Sequence, residues 1–320
     1  MKCVEEAIAR RGALLERLHA EGTDCYRLFH GAVEGCAGLV VDRYGPVVLV
    51  QTFREPLGPE DQERLVAVLA EHGAVVFHHR GEGKPWVDPP GTGPVHARED
   101  GYTYEITVRP GKDPGLFLDF RAARRWVREH VAGAVVLNLF AYTCGVGVAA
   151  AAGGCAEVTN VDFSPGALAV GRRNADANGI TADIFLTEQA DVLPTLRQLA
   201  GLPVKGRGPR RRSFRRFEPK TFDLVVLDPP TWATSPFGAV DPVRDYPALF
   251  KPAVLATRAG GRVLATHHVS AVDRDDWHEQ LRRCAAKAGR PIRDLAILEP
   301  NADFPSPDGR PPLKMVVVEV

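Results

Sequence analysis

Three apolar runs, each closed by a different kind of stop, constrain this chain more than any other feature. The first, Val135-Val-Leu-Asn-Leu-Phe-Ala-Tyr-Thr-Cys-Gly-Val-Gly147, passes from an apolar stretch into a glycine-containing turn. The second, Glu157 to Asp162, stops on an acid, and the third, Phe222-Asp-Leu-Val-Val-Leu-Asp-Pro-Pro230, stops on Asp228-Pro229-Pro230. Helical patterns over 145–152 and 165–178 lie between the first runs. Strand–helix alternation with short loops predicts a parallel, doubly wound α/β sheet. Such a sheet binds a nucleotide-like ligand across the carboxyl ends of its strands.

The pattern extends to both sides. A helix is predicted over 122–130 and strands over 134–139, 184–186 and 222–227. A helix at 246–258 and a strand at 262–266 follow, and Lys314-Met-Val-Val-Val-Glu-Val320 reads as a last strand. Upstream, residues 4–20 place Val4, Ile8, Leu14, Leu15 and Leu18 on one helical face. Leu39 to Phe53 reads as a hairpin turning at Tyr44-Gly45-Pro46, followed by a helix over 59–72 and strands over 74–79 and 102–108. The expected organisation is an N-terminal helix (1–25), a small α+β domain (26–109) and a Rossmann-like domain (110–320).

At 320 residues and 45% hydrophobic content, the chain is large enough for two cores. Lys+Arg and Asp+Glu both number 40, so global charge makes no case for a nucleic-acid partner, and any such case rests on local patches. One patch is present. Lys205, Arg207, Arg210, Arg211, Arg212, Arg215 and Arg216 interleave with Phe214 and Phe217 in an insertion before the third run. Cations with aromatics in this order suit phosphates and stacked bases, and a solvated basic loop is the plainer reading. The six cysteines are scattered without a C-x-x-C pair, which speaks against a disulfide scaffold or a metal site. A charged start and the lack of a long apolar run point to a soluble, cytoplasmic enzyme rather than a secreted or membrane protein.

Each stop carries chemistry. Gly145 and Gly147 let the backbone bend beside a cofactor or simply make a tight structural turn, and the dinucleotide pattern G-x-G-x-x-G is missing, so no diphosphate cradle is expected. Asn138, Phe140, Tyr142 and Thr143 surround that turn. Asp162 could accept hydrogen bonds from two ribose hydroxyls, with Ser164 left to cap the next helix and Phe163 beside it. Asp191 could meet an adenine amino group or be a surface acid. In Pro114 to Arg121, Asp119 and Arg121 could reach over the pocket, Arg121 toward a carboxylate, or form an ordinary surface pair. Asp228, Pro229 and Pro230 leave the sheet edge rigidly, and Trp232 offers a face for stacking a base or simply fills the core. His267 and His268 could contact the base, relay a proton or be ordinary surface residues.

As a set, these residues resemble the class I S-adenosylmethionine (SAM)-dependent large-subunit ribosomal RNA methyltransferases of bacteria. The matching blocks are Gly115 to Arg121, Leu137 to Thr143, Val161 to Ser164, Asn174 to Asn178 and Phe222 to Thr231, with Gly35 to Gly45 resembling the start of that family's central domain. The resemblance implies a substrate-recognition domain followed by a Rossmann-like SAM domain, with 23S rRNA as the partner. Two departures stand out. Residues 1–25 are too few for the RNA-binding PUA domain the family often carries, and no second methyltransferase module is present. The cytosine-C5 branch carries a nucleophilic Cys after the strand that follows Asp-Pro-Pro, whereas this chain reads Leu264-Ala-Thr-His-His-Val-Ser270. Methylation at C5 needs a thiolate adduct, while a ring nitrogen such as guanine N7 attacks through its own lone pair. Nitrogen methylation of rRNA is therefore expected. The alternatives are the C5 reaction, a small-molecule or protein substrate, and a non-catalytic RNA-binding protein of the same fold.

Overall fold

The structure, a computed structural model, describes residues 2–80, 93–109, 113–204, 215–231, 233–235, 238–240 and 242–320. The chain divides into two compact units, residues 1–121 with 300–310, and residues 122–299 with 311–320.

The first unit opens with helices α1 (Lys2–Arg10) and α2 (Gly12–Ala20). The apolar pattern predicts one helix here. It breaks at Arg11, beside the weak helix former Gly12, where the Arg11 guanidinium turns inward to pair with Glu34. Strands β1 (Cys25–His30), β2 (Leu39–Tyr44), β3 (Val47–Thr52) and β4 (Ala74–His79) form a sheet in that order, with α3 (Pro59–Leu69) connecting the parallel pair β3 and β4. The expected hairpin at 44–47 is β2–β3, paired Tyr44 to Val47. A second hairpin joins β5 (Val95–Glu99) to β6 (Tyr102–Ile106). Val4, Ala7, Leu15 and Leu18 share one core with Tyr26, Leu28, Phe29, Leu65 and Leu69, so residues 1–25 are part of this unit rather than a separate helix.

The compact units divide at 121/122, and 300–310 packs with the first unit. The reason is a buried charge network. Asp303 accepts from the Arg27 amide (3.1 Å) and from both terminal nitrogens of Arg121 (3.2 and 2.9 Å). Glu99 stands 3.5 Å from Nε of Arg121, and the Cys25 carbonyl takes a further bond.

The second unit holds α4 (Arg121–His130), β7 (Val135–Leu139), α5 (Gly145–Ala152), β8 (Glu157–Asp162), α6 (Pro165–Ala177), β9 (Phe185–Gln189), α7 (Val192–Leu199) and β10 (Phe222–Leu227). A short hairpin, β11 (Ala233–Ser235) and β12 (Gly238–Val240), precedes α8 (Pro242–Ala256), β13 (Thr257–His267), α9 (Arg274–Lys287), β14 (Asp294–Leu298) and β15 (Lys314–Glu319). The strands form one sheet in the order β14-β15-β13-β10-β7-β8-β9. From β13 to β9 all neighbours are parallel, and β15 runs antiparallel between β13 and β14. Chain order reverses at β7, whose neighbours are β8 and β10, so the carboxyl ends of these strands form the switch point where such sheets bind ligands. Leu137, Leu139, Val225, Leu227, Val263, Val316 and Val318 pack on one face against Leu196, Phe250, Val254, Trp277 and Leu281 of α7, α8 and α9, while Val136, Val158 and Val226 are buried on the other, the side of α5 and α6. Both faces of the sheet are covered, which is why its central strands are continuous apolar runs.

Candidate cofactor and substrate site

The turn after β7 is the most unusual backbone among the described residues. Phe140, Tyr142 and Cys144 all adopt left-handed conformations, with φ of 55°, 49° and 60°. An aromatic residue at positive φ is an outlier, and each such position costs on the order of 1–3 kcal/mol. The surroundings supply the compensation. The Ala141 amide donates to Val161 O (3.0 Å), the Tyr142 amide to Oδ2 of Asp162 (2.8 Å) and the Cys144 amide to Ala141 O (2.7 Å). From α6, Asn174 donates its side-chain amide to Thr143 O (3.0 Å).

Beneath the turn, Asn138 donates to Oδ1 of Asn160 (2.9 Å), and Asn160 donates to Leu186 O (3.1 Å). A Cβ on Gly147 would collide with the Asn160 side chain. The sequence motif suggests that Gly147 lets the backbone approach a cofactor. Its hydrogen instead makes room for this asparagine pair. Asn138, Thr143 and Gly145 are likewise buried scaffold of the turn, whereas Phe140 and Tyr142 are half-buried. Cys144 is fully buried, and burial, followed by the charge of Asp162, pushes its thiol far above the usual range.

Asp162 closes β8. Its Oδ2 holds the Tyr142 amide, and its Oδ1 takes the Ser164 amide (2.8 Å). Ser164 caps α6 through Ala167 N, as its place before Pro165 predicts. Phe163 is 72% exposed, the most exposed large hydrophobic side chain among the described residues. Asp191 caps α7 by accepting from Leu193 N (3.0 Å) through Oδ1, while its Oδ2 is buried with no hydrogen-bond partner among the described residues. Strand adjacency thus gathers Phe140, Tyr142, Asp162, Phe163 and Asp191 at the carboxyl ends of β7, β8 and β9.

At the end of β10, Asp228 is half-buried, Pro229 buried and Pro230 exposed. Thr266 Oγ1 donates to Oδ1 of Asp228, and Nε2 of His268 lies 2.7 Å from the same oxygen. Tyr246 donates its hydroxyl to Thr266 O (2.8 Å), with its phenol pushed well up by burial and then by the charge of Asp228. The sequence does not distinguish the two histidines, but the structure separates them. His267 is 2% exposed, stacks on Tyr246 (5.5 Å) and meets Trp277 edge-on (5.7 Å), so it is a core residue. His268 faces Asp228. Lys314, which carries no mark in the sequence, donates Nζ to Val269 O (2.9 Å) and pins the segment that carries His268.

The remaining expected residues are placed elsewhere. Arg121 is 1% exposed and committed to Asp303, Glu99 and Cys25, which corrects its assignment as a clamp for a cofactor carboxylate. Asp119 is half-buried in the first unit, where its charge acts on Arg27 and Tyr44. Of the basic insertion, Arg215 pairs with Glu188 and lies over the Phe217 ring (5.4 Å), and Arg216 is exposed. Lys205, Arg207, Arg210, Arg211, Arg212 and Trp232 fall outside the described residues.

Comparison with known proteins returns one chemistry. The family described as S-adenosylmethionine-dependent methyltransferase matches residues 26–318. A ribosomal RNA large subunit methyltransferase of Deinococcus radiodurans is 32% identical over 91% of this chain and 71% of its own length. Ribosomal RNA large subunit methyltransferase I of Shewanella amazonensis is 31% identical over 93% of this chain and 74% of its own. Among solved structures, the methyltransferase SMU.776 in complex with SAH superposes with a TM-score of 0.80 at 21% identity, covering all of this chain and 80% of that one. An SAM-dependent methyltransferase from Agrobacterium tumefaciens gives 0.65 at 18% identity, over 88% and 87% of the two chains. These structural likenesses establish the fold.

Proposed function

This chain belongs to the S-adenosylmethionine-dependent methyltransferase family, and from that premise we propose that it methylates 23S ribosomal RNA at a ring nitrogen, with guanine N7 as the target. The rRNA substrate is supported by the named activity of relatives at about one-third identity and by the basic insertion at 205–216.

The site residues suit SAM. Asp191 Oδ2 is a buried acceptor that lacks a donor among the described residues, and an adenine amino group is the donor type it lacks. Each Asp162 oxygen holds one backbone N–H, and a carboxylate oxygen has capacity for a second, here a ribose hydroxyl. Phe163 presents an exposed ring against which the base can lie. When bound, SAM supplies an electrophilic methyl group. The protein's own part is to position the nucleophile, and orientation accounts for most of the rate in a displacement of this kind.

One observation carries the choice of nitrogen over carbon: no thiol stands at the carboxyl end of β13. Thr266, His267 and His268 occupy that place. The cysteines of the second unit, Cys144, Cys155 and Cys284, are buried, and burial raises all three, Cys155 to about 11. A buried, protonated thiol does not add to a pyrimidine ring.

RNA containing 5-fluorocytidine tests this directly, because fluorine blocks the elimination that frees the thiolate in the C5 reaction. The expected result is methyl transfer without a denaturation-resistant protein–RNA band. A trapped band that disappears when one cysteine is replaced would restore the cytosine reading.

A further inference from the structure

Asp228 pairs with His268 at the carboxyl end of β10, apart from the residues assigned above to SAM. Among the described residues, the Thr266 hydroxyl and the His268 imidazole both fall on Oδ1 of Asp228, and neither takes Oδ2. Side-chain exposures of 24% for Asp228 and 28% for His268 leave the pair open to a ligand. We propose that Asp228 is the counter-charge for a methylated base that leaves the reaction cationic, and that His268 is a positioning residue whose protonation switches that counter-charge off.

The proposal rests on the ring-nitrogen reading and extends it. When a nitrogen without a hydrogen attacks, its lone pair forms the N–C bond as the donor's S–C bond breaks. No proton is released, and the positive charge passes from the sulfur to the purine ring. Such a transition state needs a carboxylate beside the ring and no proton acceptor. With neutral imidazole the Asp228–His268 pair carries one negative charge, and with imidazolium it carries none. Imidazole is the side chain that makes this change between about pH 5 and 8. Transfer should therefore be fast on the alkaline side and fall as His268 gains its proton.

The other groups facing the pair do not duplicate this switch. From α8, the Tyr246 phenol is kept neutral by burial and by Asp228. From β13, His267 is buried against Tyr246 and Trp277. From β15, Lys314 spends its ammonium on Val269 O, with its pKa lowered by burial and partly restored by Asp273.

The test is single-turnover transfer to rRNA against pH, for the parent protein and for His268→Gln, whose amide can donate to Asp228 but cannot titrate. The parent rate should drop about tenfold per pH unit below its inflection. The variant should stay within a few-fold of the parent at the alkaline end and keep that rate at the acid end, where the parent falls below it. A second readout needs no turnover. The His268 ring proton, followed by NMR in the substrate-free protein, should titrate at the kinetic inflection, and Asp228→Asn should lower that midpoint by removing a stabilising charge. A variant slow at every pH would make His268 a proton acceptor and overturn the proposal, as would an NMR midpoint unrelated to the kinetics. Methylation at a ring nitrogen with a variant that falls in acid as the parent does overturns the switch and leaves the target reading intact. A product methylated at carbon or at an amino group overturns the target reading, and the switch with it.

Discussion

The carboxylate of Asp162 gives one oxygen to the amide of Tyr142 and the other to that of Ser164, at 2.8 Å each. The residue that the sequence marks as a ribose acceptor is therefore also the clasp of the strained turn, so replacing it conflates binding with stability. Asp191 separates the two. Its Oδ1 caps α7 and its Oδ2 is buried without a donor among the described residues. Serine is a comparable cap, so Asp191→Ser should leave thermal stability near that of the parent, whereas Asp191→Ala should cost about 1 kcal/mol. Both should weaken SAM binding by about 1–3 kcal/mol, roughly 5- to 150-fold in Kd by calorimetry, if Oδ2 serves the cofactor. Full affinity in a folded Asp191→Ser protein would leave that oxygen without a ligand role.

At the scale of elements, the central strands are legible because burial on both faces writes them as apolar runs, and β7, β8 and β10 fall within a residue of expectation. The caps are legible too, with Ser164 before Pro165 as the case in point. The elements at the far end of the chain give weaker signals and escape a linear reading. β14 is mostly exposed and carries little pattern, and α9 marks its buried face only through Trp277, Leu281, Cys284 and Ala285 behind the Asp273 cap. Gly147 is legible as necessary but not for its actual reason, since its approach to Asn160, thirteen positions on, is invisible along the chain. That approach is testable. Gly147→Ala adds helix propensity worth up to about 1 kcal/mol but overpacks the asparagine, at a cost of about 1–3 kcal/mol. We expect net destabilisation in urea melts, with Asn160→Ala relieving part of it in the double variant. Strictly additive losses would contradict the steric coupling.

Across the whole molecule, the parallel sheet can be read from the sequence, but the grouping of 300–310 with the first unit cannot. Nothing in a linear reading joins Asp303 to Arg27 and Arg121, and that buried network is where the Arg121 guanidinium is spent. With formal charge balanced at 40 and 40, the proposed RNA affinity has to come from local patches. Replacing Arg210, Arg211 and Arg212 together with Ala should flatten the salt dependence of RNA binding by about 0.7–0.9 log units for each phosphate no longer neutralised, with SAM affinity unaffected. An unchanged slope would assign the insertion to solvent.

The most direct measurement of the central claim is nucleoside mass spectrometry of 23S rRNA incubated with the protein and isotopically labelled SAM. The predicted result is label in 7-methylguanosine and none in 5-methylcytidine. Label in 5-methylcytidine, or none in RNA while SAM is bound, would contradict it.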